Sequence, residues 1–271
     1  MDASAKAEQV GRKADNSTVL DHAIRVGLIA YGVVHLLIAW LAVRIAFGDQ
    51  ESASSQGALS ELATTGPGRI SLYVVAVGFA ALVVWQVIEA IFGARDKEGA
   101  KAVYKRVTAG GKAAVYAVLG FSALKVATGS SGGGEGTDTM TAKLMSLPGG
   151  QLLVALVGAV ILGVAGAHVY NGFSERFMKK LEGEGHTGTS GRAFVLLGKA
   201  GYISKGIAFV IVGVLFIWAA VSQDPDKSGG LDQALHKVLE QPFGSPMLVL
   251  IALGFACYGL FCFAWARHLN R

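Results

Sequence analysis

The stretch RVGLIAYGVVHLLIAWLAVRIAFG, Arg25 to Gly48, decides the fold class of this chain. A helix needs about 20 mainly apolar residues to span the hydrocarbon core of a bilayer, and this stretch is long enough. It carries His35 near its middle and Arg44 near its far end. The stretch predicts a transmembrane helix and raises the question of what a histidine does inside it.

The composition of the whole chain agrees with a membrane protein. Of 271 residues, 52% are hydrophobic and only 16% are charged, and the mean hydropathy is +0.49. Soluble domains carry about 25% charged residues. Six apolar runs of spanning length are predicted as transmembrane helices: 27–47, 70–92, 108–128, 150–172, 197–221 and 247–266.

The basic residues orient these spans. Sixteen lysines and arginines flank the spans on the side of the two termini, and four lie on the opposite side. The positive-inside rule therefore predicts a multi-pass protein of the cell membrane with both termini cytoplasmic. Because the charges flank spans, anionic lipid headgroups are the expected partner and nucleic acid is not. Residues 1–24 are predicted as a polar cytoplasmic segment, with an interfacial helix at residues 19–24 that runs into the first span.

The chain also contains three copies of one sequence pattern. Aligning Arg25 with Arg106 and Lys199 also aligns two small residues of the first span with small residues of the other two copies. The two small residues are seven positions apart, so they lie on the same helix face. The two sets are Gly32, Ala113 and Gly206, and Ala39, Gly120 and Gly213. Such seams allow close helix contact in membranes. We expect three parallel two-span repeats at 25–96, 106–177 and 195–271, packed as a pseudo-threefold all-α bundle.

The loops between the two spans of each repeat share a pattern on the outer side. A short amphipathic segment, predicted as a helix, comes first, and a corner with proline and glycine follows. Proline suits a helix start because its missing N–H would be unpaired there. The segments are 58–63, 140–147 and 231–241, and the corners lie at Pro67, Pro148 and Pro242.

These features are similar to a known family. The stretches RVGLIAYGVV at the start of the first span, WQVIEA at Trp85–Ala90 and YGLFCFAWAR at Tyr258–Arg267 resemble an actinobacterial family of three-repeat, six-helix membrane proteins. That family is classed as a domain of unknown function. The resemblance implies an integral membrane protein and transfers no catalytic residue.

Polar residues within the spans are the candidate functional residues, because an ionisable group in the membrane is costly and marks function by default. Arg44 and Lys125 are expected to reach the outer headgroups from matching positions. The other polar residues lie toward the cytoplasmic ends and could meet in one layer: Gln86, Glu89, Lys112, His168, Tyr170, Asn171 and Lys205. Glu89 is expected to pair with Lys112 or Lys205. The layer either fixes the packing of the repeats or lines an inward-facing vestibule for a solute or protons.

His35 is expected one level deeper than this layer. The repeat places Tyr116 and Phe209 at its equivalent positions, which favours packing with an optional hydrogen bond over contact with a proton or ligand. Haem ligation by His35 and His168 is a further alternative, weakened by their different depths.

No cofactor or metal motif is evident in the sequence. The glycine-rich run 130–136 is typical of a flexible linker, and the short loops argue against enzyme activity. Three functions stay open. The leading one is a non-enzymatic scaffold or accessory subunit that acts through its helix surfaces, as a homo-oligomer or with a membrane-protein partner. The alternatives are a small channel, transporter or lipid-handling protein, and a haem or quinone redox protein.

Overall fold

The computed structural model describes residues 18–48, 53–64, 66–92, 99–129, 137–181 and 188–269. In these ranges the chain forms nine α-helices and two short 3-10 helices, the latter at Arg176–Lys180 and Pro225–Lys227. The α-helices are α1 (Thr18–Ala46), α2 (Ser55–Ala63), α3 (Gly66–Phe92), α4 (Ala100–Ala127), α5 (Thr137–Met145), α6 (Gly150–Ser174), α7 (Gly188–Ser222), α8 (Leu231–Leu239) and α9 (Gly244–Arg267).

Six of these helices are long and apolar enough to cross a membrane: α1, α3, α4, α6, α7 and α9. They coincide with the six predicted spans, so the all-helical, six-span prediction is confirmed. Each of the last five extends beyond its predicted run at one end or both, because polar residues can continue a helix outside the apolar core. The predicted interfacial helix at 19–24 forms the first turns of α1. Residues 1–17 and the glycine-rich run 130–136 lie outside the described residues.

The two ends of the bundle differ. We call the end where α1 begins and α9 ends the terminal side, and the other end the loop side. The loop side carries α2, α5 and α8, the three predicted amphipathic helices. Leu59 of α2 and Leu235 of α8 are fully buried, so these two helices lie over the bundle. Arg44 reaches this side, where it pairs with Glu61 of α2 at 3.9 Å.

The corners before α6 and α9 turn through left-handed backbone. Gly149 has φ +73° directly before α6. Phe243 has φ +62° directly before α9, although it is not glycine. In both copies the preceding proline cannot continue a helix, and the left-handed residue starts the next one.

Small residues bring neighbouring helices of different copies together. Gly32 of α1 and Gly259 of α9 face each other, and a Cβ on either would lie 2.8 Å from the carbonyl oxygen of the other. Gly213 of α7 meets Gly158 of α6 in the same way, and Gly120 of α4 packs on Phe79 of α3. The seam predicted on the first span of each repeat, in α1, α4 and α7, is therefore confirmed, and each seam faces a helix of another copy.

Contacts within a copy are less regular. In copy one, α1 and α3 cross at Gly27 and Gly78, and in copy three α7 and α9 cross at Gly201 and Gly254. The described parts of α4 and α6, the two spans of copy two, are not among the helix pairs that pack extensively. The middle copy has Thr108 where the others have Gly27 and Gly201, which removes the glycine that permits a close crossing. The six spans thus follow the cyclic order of a pseudo-threefold bundle with one loosely closed side.

Candidate functional site

Lys205 of α7 is buried at the centre of the bundle, only 5% exposed. Its Nζ donates a hydrogen bond to Tyr31 Oη at 2.7 Å and lies 3.1 Å from His35 Nε2. Tyr31 and His35 are four residues apart and share one face of α1. The contact joins copies one and three of the repeat, and it forms near the middle of the Asp21–Ala46 span.

The protonation of His35 follows from its other nitrogen. His35 Nδ1 lies 2.8 Å from the carbonyl oxygen of Tyr31. A carbonyl oxygen only accepts hydrogen bonds, so Nδ1 carries the proton and a neutral His35 keeps its lone pair on Nε2. Lys205 therefore donates to Nε2, and the imidazole is held as an acceptor by its own backbone.

Aromatic rings surround the Lys205 ammonium. Its Nζ lies 4.4 Å from the ring centroid of Tyr258, 5.0 Å from that of Tyr31 and 5.8 Å from that of Phe209. The negative faces of such rings attract a cation by about 0.5–2 kcal/mol each, more when water is excluded. The ammonium is thus stabilised by dipoles and ring faces as well as by hydrogen bonds.

The site belongs to a larger aromatic centre. Tyr31 meets Tyr116 edge-on at 5.5 Å, and His168 stacks on Phe209 at 5.6 Å. The Tyr258 ring meets the ring of Tyr31 edge-on at 6.1 Å and that of Tyr202 edge-on at 5.2 Å. All six spanning helices contribute a ring to this centre: Tyr31, His35, Phe79, Tyr116, His168, Tyr202, Phe209, Phe255 and Tyr258.

The structure divides the polar residues that the sequence placed in one layer. Glu89 pairs with Lys105 at 2.6 Å on the terminal side. The expected pairing of Glu89 with Lys112 or Lys205 is therefore wrong, because Lys205 turns to α1 and Lys112 is exposed. Asn171 is half-buried and Tyr170 is exposed, with the Arg176 guanidinium over its ring. His168 joins the aromatic centre, and Gln86 is buried, with no hydrogen-bond partner for its Oε1 in the described part of the chain.

Sequence reasoning missed that His35 and Lys205 belong to one site. Lys205 aligns with Tyr31, one helical turn short of His35, so the two residues seemed to occupy separate levels. The flexible lysine stem spans that turn. A signal was present in the repeat, because Tyr31 and Lys205 are equivalent positions of copies one and three, and both are buried. The third equivalent position, Lys112 of the middle copy, is exposed.

The comparisons with known proteins agree with this architecture. The family model "Domain of Unknown Function (DUF1206)" matches the chain three times, at residues 26–93, 107–175 and 200–268. The chain belongs to the DUF1206 family. Each match covers two spanning helices, so the threefold repeat predicted from the sequence is a repeat of the DUF1206 domain.

The DUF1206 chain is also similar to a protein of Bacillus subtilis (strain 168) with the printed name "Uncharacterized protein YxxB". The two are 31% identical over 245 residues, which cover 88% of this chain and 86% of the relative. No solved structure matches. These comparisons show the family, and they do not show the actinobacterial origin that the resemblance had suggested.

Proposed function

We propose that the protein is a proton-handling membrane transport protein in which Lys205 and His35 form the proton-binding pair. The contact between Lys205 Nζ and His35 Nε2 carries the proposal. Charged residues within spans are costly and mark proton relays and solute pathways. This function is the transporter alternative of the sequence analysis, with Lys205 kept from the polar layer and joined by His35.

The pair can exchange one proton internally. With the ammonium donating to Nε2, a shift of the proton along the hydrogen bond leaves a neutral amine and an imidazolium, and the pair keeps a single positive charge. Uptake of a second proton removes the lone pair that holds the contact and places two cations side by side. Binding and release of that proton therefore change the contact between α1 and α7, which is the coupling that a proton-driven transporter needs.

Proton flux in liposomes tests the proposal. The protein is reconstituted with a pH-sensitive dye in the lumen, and a membrane potential is imposed with potassium and valinomycin. The wild type is expected to carry flux above that of empty liposomes. Lys205→Met and His35→Phe are expected to reduce the flux to the leak of empty liposomes, because each removes one member of the pair.

Lys112→Met is the matched control. Lys112 occupies the position equivalent to Lys205 in the middle copy, but it is exposed. Its substitution is expected to leave the flux unchanged. His35→Phe introduces the residue that copy three has at the equivalent position, Phe209, so its size suits the site. Flux that is absent in the wild type, or equal in the wild type and Lys205→Met, would sink the proposal.

A scaffold or accessory subunit is the second candidate, favoured by the surfaces of α4 and α6. These two helices are the most exposed of the six, and nothing in the described chain covers Gly110 and Gly111 of α4 or Gly163 and Gly166 of α6. Purification from native membranes in mild detergent is expected to return a homo-oligomer or a reproducible partner if this function holds. Recovery of a monomer alone would count against it.

The geometry disfavours the haem alternative. Both ring nitrogens of His35 are engaged, Nδ1 with the Tyr31 carbonyl and Nε2 with Lys205, so an iron ligand would have to give up the Lys205 contact. His168 stacks on Phe209, and its ring meets Tyr202 edge-on. An absorption band of a His-ligated haem in the purified protein would restore this alternative.

A further inference from the structure

The segment after α6 folds back into the bundle on the terminal side. Its 3-10 helix, Arg176–Lys180, presents Phe177 to the aromatic centre, where the side chain is 1% exposed. The Phe177 ring stacks on Tyr202 at 5.3 Å and meets Phe261 edge-on at 5.2 Å. Tyr202 in turn is connected through Tyr258 and Tyr31 to Lys205. Phe177 therefore lies between the terminal side and the Lys205–His35 pair.

The seat of Phe177 is shaped for its ring. A Cβ at Gly198 of α7 would overlap the Phe177 ring, so only glycine leaves the space that the ring fills. Phe177 reaches this space from a turn at Glu175, whose φ is +54° although it is not glycine. Left-handed backbone at such a residue costs about 1 kcal/mol or more and persists where surrounding contacts hold it.

Two contacts hold the segment at its ends. The Glu175 carboxylate pairs with Lys199 Nζ at 2.6 Å, and both side chains are partly exposed. At the other end, Leu181 forms an isolated antiparallel bridge with Leu269, directly after α9. The first contact lies at the surface and can break without exposing apolar core, so this ion pair is the contact through which the segment can be released.

We propose that Phe177 is a hydrophobic gate that separates water on the terminal side from the Lys205–His35 pair. The gate rests on the proposed function for its purpose, since it would control proton access to the pair from that side. An apolar constriction blocks ions and protons by excluding water. In the closed state seen here, the Glu175–Lys199 ion pair keeps the ring on Tyr202.

Thiol labelling of Cys262 tests the gate without any measurement of transport. Cys262 is fully buried, follows Phe261 in the chain and lies one helical turn from Tyr258. Cys257→Ala leaves Cys262 as the single thiol of the chain. The protein is placed in lipid nanodiscs, which expose both faces, and the labelling rate with a water-soluble methanethiosulfonate is measured.

Two variants open the gate in different ways. Gly198→Ala displaces the Phe177 ring while Phe177 is still present, and Glu175→Gln removes the ion pair while leaving the seat intact. Both are expected to raise the labelling rate about tenfold or more, the response of a site whose exposure needs only local opening. Phe173→Ala is the control, because Phe173 lies one turn away on α6 and is 69% exposed. It is expected to label at the wild-type rate.

A thiol at the other end separates gating from unfolding. Leu235→Cys, in a chain with Cys257→Ala and Cys262→Ala, places a thiol at a buried position of α8 on the loop side. It is expected to stay unlabelled in the Glu175→Gln and Gly198→Ala variants. The gate would be overturned if Cys262 were labelled at the wild-type rate in both variants. It would also be overturned if the thiols at positions 262 and 235 were labelled at equal rates. Faster Cys262 labelling without proton flux in the wild type would leave the gate standing and remove the proposed function.

Discussion

The ammonium group of Lys205 meets a hydroxyl, an imidazole nitrogen and aromatic faces within the reach of one side chain. The hydroxyl and the imidazole come from α1, and the ring faces come from α1, α7 and α9. Together these partners replace hydration that the membrane interior does not supply. Tyr31 has a double role, because its hydroxyl accepts from Lys205 and its carbonyl fixes the tautomer of His35. This residue therefore orients the whole pair.

Tyr31→Phe removes the hydroxyl and keeps the ring. We expect the free energy of unfolding to fall by about 1.5–3 kcal/mol, the usual range for a hydrogen bond to a charged group. Unfolding of the purified protein in mixed detergent micelles measures the change. Tyr104→Phe is the control, since Tyr104 is 66% exposed on α4, and it is expected to change stability little. Equal losses in both variants would show that the buried hydroxyl does not stabilise the pair.

Individual site residues were only partly predictable from the sequence. Cost arguments selected His35, Lys205 and His168 as intramembrane polar residues, and all three lie within the six long apolar helices. Their contacts were not readable, because they depend on how α1 and α7 approach across copies and on how far a lysine side chain reaches. Glu89 shows the same limit, since its actual partner Lys105 looked like one more charge at the membrane surface.

At the scale of elements, glycine positions determine which helices touch. A Cβ at Gly213 would lie 2.7 Å from Leu162 Cγ and 3.2 Å from the Gly158 carbonyl oxygen. A Cβ at Gly163, on the same pair of helices, meets nothing within 4 Å. Gly213 is therefore needed for the close approach of α6 and α7, whereas the position of Gly163 has room for a side chain.

Gly213→Leu is expected to lower the free energy of unfolding by about 1–3 kcal/mol, the usual cost of overpacking a close contact. Gly163→Leu is expected to be neutral or slightly stabilising, because glycine inside a helix is less favourable than other residues. Micelle unfolding curves of both variants provide the comparison. A loss at Gly163 as large as that at Gly213 would mean that the small-residue seam does not set the α6–α7 contact.

Elements were the most predictable level of this structure. Apolar length identified the six spans, and amphipathic pattern with proline corners identified α2, α5 and α8. The Phe177 segment was missed because Arg176, Lys179 and Lys180 read as a basic surface loop, although one aromatic residue lies among them. Two adjacent buried side chains, Phe177 and Met178, in a short 3-10 turn leave too little periodicity to detect.

At the scale of the whole molecule, copies one and three close on each other at both ends. On the terminal side, Arg25 Nη1 donates to the Arg267 carbonyl at 3.2 Å. On the loop side, the backbone N–H of Ala53 donates to Asp232 Oδ1 at 2.8 Å. Polar contacts between copies one and three therefore lie on both sides of the glycine contact of α1 and α9.

Asp232→Ala removes the loop-side closure, and we expect it to lower the melting temperature by an amount equivalent to about 1–2 kcal/mol. Asp138→Ala is the matched control, because Asp138 is likewise the second residue of its loop-side helix. Asp232→Asn keeps an acceptor oxygen and is expected to recover most of the loss. Equal effects at Asp138 and Asp232 would assign the change to the helix terminus instead of to the closure.

The loosely closed side between α4 and α6 was not predictable from the repeat, which implies equal contacts in all three copies. One matched position differs in the expected sense, because Thr108 replaces the glycine of the other copies. Repeat symmetry predicts the order of the helices, and departures from the repeat determine how tightly each pair meets.

The matched positions Tyr31, Lys112 and Lys205 have a consequence for how such a centre can be built. A trimer of one identical two-helix subunit would place the same residue at all three positions, either three lysines that repel or three tyrosines that hold no charge. Fusion of the copies in one chain lets each position change alone. The buried cation and its acceptor can then occupy symmetry-equivalent sites, which identical subunits could never achieve.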